Sequence, residues 1–111
     1  MAITVKSIIP AKYAEVTQTT QYTATNCKTI FDKFTVTNVG TTNEDISINL
    51  VASGDTAAAY NLILSARTLV PGEVYTCPEI VGQVLENGDF VSTLATKADS
   101  LTISAGGREL T

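Results

Sequence analysis

Apolar and polar residues alternate along much of this chain, and where the period is clear it is two. From Thr29 to Asn38, Ile30, Phe34 and Val36 share one face and Lys33, Thr35 and Thr37 the other, with Asp32 interrupting the apolar side. Asp45 to Ala52 repeats the pattern, directing Ile46, Ile48, Leu50 and Ala52 inward. Such alternation marks half-buried strands. Further strands are expected at Leu62 to Val70, around Val74-Tyr75-Thr76, at Phe90 to Thr96 and at Leu101 to Ala105. Turn residues punctuate them: Val39 to Glu44, the type II candidate Pro71-Gly72, and Ala98-Asp99-Ser100. Gly106-Gly107 reads as a bend leading into a short last segment.

Two stretches depart from this rhythm. Ser53 to Asn61 has no strand period and forms the longest loop. From Thr76 to Leu85 a short helix is expected: Thr76 or Cys77 serves as N-cap, Pro78 fits the first helical position, and Ile80, Val81, Val84 and Leu85 make one stripe before Asn87-Gly88 stops it. Short strands with turns about every eight to twelve residues predict an all-β fold, a jelly-roll-like antiparallel β-sandwich with that helix capping one end. Residues 1–20 alternate weakly and read as an extended N-terminal arm or edge strand; residues 21–111 form the sandwich domain.

Composition strengthens the sheet assignment. Hydrophobic residues make up 44% and charged residues 16% of the 111 positions, so much of the surface must be neutral and polar. Threonine supplies it, and its branched Cβ suits the solvent face of a strand. The net charge is −4 and the seven Lys and Arg are spread thinly, with no basic stripe to neutralise a row of phosphates, which disfavours direct nucleic-acid binding. Leu62-Ile63-Leu64 is among the longest apolar runs, far below the roughly 20 residues of a membrane-spanning helix, and no signal-peptide pattern opens the sequence. The expectation is a product made in the cytoplasm that engages no membrane.

The search for chemistry returns little. There is no histidine, hence no Ser-His-Asp triad, and no tryptophan to stack a sugar or base. Glu44-Asp45 and Asp55 follow no calcium-loop spacing, and solvated turn carboxylates account for them. Asp32 is either an acid raised by desolvation or a strand-end carboxylate that accepts backbone bonds. Cys77, at the expected helix start, could have a lowered thiol pKa but has no histidine to serve it as a base. A disulfide between Cys27 and Cys77 is geometrically possible, but in a chain without a secretion signal the pair reads more readily as two buried thiols. No enzyme activity, cofactor or metal site is expected.

Two segments remain. Ala57-Ala58-Ala59-Tyr60 places small apolar residues and one aromatic in a long loop, either as a contact tip or folded back onto the domain's own core. Ile3, Val5, Ile8 and Ile9 either add an edge strand or lie on a partner. These eight are the candidate partner-binding residues.

Ile30-Phe31-Asp32-Lys33-Phe34-Thr35-Val36-Thr37-Asn38, Asn61-Leu62-Ile63-Leu64, Thr76-Cys77-Pro78-Glu79 and Val84-Leu85-Glu86-Asn87-Gly88-Asp89 together resemble the capsid decoration, or staple, proteins of short-tailed bacteriophages of the epsilon-fifteen type. The resemblance spans residues from about 22 to 110. It implies a sandwich on the virion surface that pairs as a homodimer, binds the shell of major capsid protein and resists the pressure of packaged DNA. No residue role carries over from it. The alternatives are a tail, neck or fibre component of a virion, or a weak glycan-binding module.

Overall fold

The computed structural model describes residues 2–111 and is built from antiparallel strands. In chain order these are β1 (Ile3–Tyr13), β2 (Thr19–Thr23), β3 (Lys28–Asn38), β4 (Glu44–Val51), β5 (Leu62–Leu69), β6 (Val74–Tyr75), β7 (Val84–Leu85), β8 (Phe90–Ala95) and β9 (Leu101–Leu110). Sheet A has the order β1-β9-β3-β6, with β7 also pairing on β3; sheet B has the order β2-β8-β4-β5. β6 and β7 are two halves of one interrupted position, which leaves four positions in each sheet. The chain crosses repeatedly from one sheet to the other, and this is the jelly-roll arrangement.

Between the sheets lie Phe31, Phe34, Val36, Leu101 and Ile103 of sheet A and Ile46, Ile48, Leu69 and Val91 of sheet B, all fully buried. Phe31 and Phe34 meet edge to face with ring centroids 5.9 Å apart. Asn38 ties the layers together: its side-chain amide donates to the carbonyls of Leu69 and Thr42, both at 2.9 Å, and its Oδ1 accepts from the Gly40 N–H at 2.9 Å.

Three expectations from the sequence are corrected. The phase of β3 is not constant, because Phe31 joins Phe34 and Val36 inside while Ile30 lies half-buried on the other side. A register shift against β9 between Phe31 and Lys33 marks a β-bulge at Asp32, and the extra residue swaps the faces. Asp32 is exposed there and takes a bidentate ion pair from Arg108, Nε to Oδ2 at 3.0 Å and Nη2 to Oδ1 at 2.9 Å.

The helix expected from Thr76 to Leu85 is absent. Cys77 has φ +46° and Gly82 φ +90°, left-handed values that limit the segment to a single turn closed by the Ile80 N–H on the Cys77 carbonyl. Val84 and Leu85 instead pair with Ile30 and Thr29 as β7, so tertiary hydrogen bonds outweigh a marginal local preference. Among the described residues the one helical element is a 3₁₀ turn at Ala59–Asn61. Nor is Gly106-Gly107 a bend: both sit inside β9, which runs unbroken to Leu110.

Both cysteines are buried and free. With no helix behind it, Cys77 gains no dipole; burial pushes its thiol up to about 12, and it stays protonated and inert at neutral pH.

Candidate functional site

The eight candidate residues separate into three environments. Ile8 and Ile9, 3% and 1% exposed, belong to the core and cannot contact a partner. Register shifts in the β1–β9 pairing fall on either side of Ile9, and the bulge there turns consecutive isoleucines into the sandwich. Ile3 and Val5 lie on the outer face of sheet A, 62% and 83% exposed. They sit on the edge strand, opposite Leu110 and Arg108.

Ala57, Ala58, Ala59 and Tyr60 occupy a loop laid against the outer face of sheet B. The alanines are outside the core; Ala57 and Ala58 are half-buried, and Ala59 is exposed. They border a shallow groove of about 310 Å³ whose floor includes Ser47, Asn49, Leu62 and Leu94.

The loop is held by side chains that the sequence pattern did not single out. Asn61 accepts from the Ala58 N–H at 3.0 Å and donates to the Thr56 carbonyl at 2.9 Å. Asn49 of β4 donates to Asn61 Oδ1 at 2.7 Å and to the Ala58 carbonyl at 3.1 Å. Gln18 completes the network, donating to Ser92 Oγ at 2.7 Å and to Asn49 Oδ1 at 3.3 Å. Asn49 is 3% exposed, so these bonds form in a poorly solvated place where losing a partner is expensive. In sequence Asn49 merely occupies the polar phase of β4, like any solvated strand residue. Only the covering loop makes it structural.

Tyr60 points away from this anchor, 75% exposed, and its hydroxyl donates to both Asp55 carboxylate oxygens at 2.6 Å. That bond holds Asp55 below the usual carboxylate range and pushes the Tyr60 hydroxyl above its ordinary value. The tip therefore presents a fixed aromatic ring beside a carboxylate.

A second polar cluster closes one end of the sandwich. The Tyr22 hydroxyl of sheet B donates to Glu109 of sheet A and lies 2.7 Å from Thr29 Oγ1; Lys6 Nζ is 3.3 Å from Glu109. Burial, then the neighbouring carboxylate, raises the Tyr22 pKa; the Tyr22 bond, then Lys6, lowers that of Glu109. A carboxylate with a depressed folded-state pKa stabilises the fold above its unfolded value, 4.5 for glutamate, and loses that contribution as pH falls through the lower folded value. Thermal melts are accordingly expected to show a flat midpoint between about pH 6 and 8 and a decline below about 4.5. Glu109→Gln should make that decline shallower. A midpoint that rises on acidification would contradict the assignment.

Among the described residues no group of three or more Cys, Asp or Glu is placed to hold a metal ion, and no helix is long and apolar enough to cross a membrane. No protein-family model, curated protein or solved structure matches this chain.

Proposed function

We propose that this chain decorates a viral shell: it binds the outside of the capsid, staples neighbouring subunits of the major capsid protein, and braces the head against internal DNA pressure. The working unit in this reading is a pair of chains. The observation that carries it is the pre-formed loop at Asp55 to Asn61, tied down by Asn49 and Asn61 and presenting Tyr60 outward. Binding costs the ordering of whatever moves. A loop already pinned by buried amides has little left to order, and a rigid tyrosine is an effective anchor at protein interfaces.

Many identical copies acting on one shell then add modest individual affinities into strong retention. The same architecture recurs in viral capsid domains, an analogy of fold that supports the reading. The resemblance of Ile30 to Asn38, Asn61 to Leu64, Thr76 to Glu79 and Val84 to Asp89 to phage staple proteins points the same way.

Purified protein is expected to co-sediment with mature shells that lack it, at a copy number on the scale of the shell subunits. Tyr60→Ala should weaken that binding about tenfold while leaving the thermal midpoint unchanged, as expected for a contact residue with no part in the core. Failure of the wild-type chain to bind such shells would overturn the reading. A copy number matching a tail or neck ring would move the protein to another part of the virion.

A further inference from the structure

β1 is an edge strand, and its first part is left open. Ala2 and Thr111 exchange both backbone hydrogen bonds, N to O at 3.2 and 3.0 Å. In an antiparallel ladder this pattern alternates. Thr4 opposite Glu109 and Lys6 opposite Gly107 are therefore bonded inward, and Ile3, Val5 and Ser7 turn their N–H and C=O groups to the outside. No bulge interrupts Ile3 to Ser7, whereas the register shift after Ser7 and Pro10 close the edge beyond. The other sheet edges are less available: β2 carries a register shift, β5 bends at Ala66 with φ +45°, and β6 and β7 span two residues each. Long unpaired edges are normally blunted in stable monomers.

We infer that two copies of this chain pair through these edges, antiparallel about a two-fold axis at Val5, which joins the two A sheets into one continuous sheet. This rests on the proposed reading that the bracing unit is a pair, and it specifies the interface. The sequence suits this one register. With Val5 opposite the partner's Val5, Ile3 faces the partner's Ser7 and Ser7 faces the partner's Ile3. Every outward backbone group then finds a partner, valine meets valine on the outer face, and Lys6 lies opposite threonine.

Sliding the strands so that Lys6 meets the partner's Lys6 opposes like charges at the closest pair spacing. Sliding the other way, with Thr4 opposite the partner's Thr4, carries Ser7 past the start of the partner's strand. The 83% exposure of Val5 on an otherwise ordered strand is thereby explained. An interface of this size is weak in free solution, so the measurement belongs at about 100 µM chain.

Sedimentation equilibrium of the full chain at that concentration should show dimers, and mild oxidation of Val5→Cys should trap them, because directly opposed strand residues lie within disulfide reach. Val5→Pro should weaken dimerisation at least about tenfold, since it removes the central N–H from both copies. It should leave the monomer's unfolding midpoint within a few degrees of the wild type, because that N–H bonds nothing within the chain. Dimers that neither cross-link at Val5→Cys nor weaken with Val5→Pro would overturn this interface and leave the paired reading standing. A wild-type chain that is monomeric at about 100 µM, off and on the shell, would overturn both. Loss of shell binding by Val5→Pro with dimerisation intact would assign the edge to a strand of the shell, and would equally overturn the proposal.

Discussion

Gly107→Ala is expected to destabilise the domain by about 3 kcal/mol, at the upper end of the usual cost of overpacking. For a chain of this size that lowers the thermal midpoint by roughly 10–15 °C. A Cβ built on Gly107 would stand 2.1 Å from the Ile30 carbonyl oxygen and 3.2 Å from the Ile8 side chain. The first obstacle is backbone in the middle of sheet A, where β3 cannot retreat without breaking its ladder with β9.

Gly106 is the internal control. Its nearest neighbour would be the Lys6 carbonyl at 4.0 Å, so Gly106→Ala should fall within about 0.5 kcal/mol of the wild type. Chemical denaturation of the two variants side by side checks the contrast. Equal midpoints would mean that the close approach of β9 to β3 is not as described.

Phe34→Ala should cost about 4 kcal/mol, since a fully buried phenylalanine truncated to alanine loses both its transfer free energy and the contacts around the cavity left behind. The edge-to-face contact with Phe31 disappears with it. Total stabilities of such domains are about 5–15 kcal/mol, so this single change leaves the protein marginal at physiological temperature. Phe34→Leu, which keeps most of the volume, should cost under about 2 kcal/mol. Equilibrium unfolding in urea distinguishes the two. A loss below about 1.5 kcal/mol for Phe34→Ala would show that the core collapses around the gap or that Phe34 is less central than its burial implies.

Both substitutions fall where the sequence pattern was hardest to read. The alternation in β3 assigns Ile30 to the inner face and leaves Phe31 outside; the bulge at Asp32 reverses this, placing two phenylalanines in the core. A bulge has no strong local signature, because it answers the twist and spacing of the neighbouring strand. Gly106-Gly107 has the composition of a turn, yet it is glycine for want of space under the Ile30 carbonyl. The stripe Ile80, Val81, Val84 and Leu85 satisfies a helical period, but Leu85 reaches the core from a strand.

The candidate site was legible in the same partial way. The loop Ala57 to Tyr60 stands out because small apolar residues and an aromatic are unusual in so long a turn. Its anchors, Asn49 and Asn61, do not stand out, since an asparagine in a strand's polar phase or before an apolar run has many ordinary uses. The arm was legible as apolar but not as divided. Nothing in the residue types of Ile3, Val5, Ile8 and Ile9 says that the last two turn inward.

By itself the sequence determined the class of fold and the position of most strands, because a period of two and turn chemistry are local properties set by a few neighbouring residues. It also determined that this chain has no histidine to contribute to any site. Only the tertiary structure decided the phase of β1 and β3, the fate of the expected helix, and which polar residues became buried anchors. Each depends on what packs across the sheet from a residue far away in the chain. Period two tells which side chains face together; which of the two faces is covered is settled only when a second layer arrives.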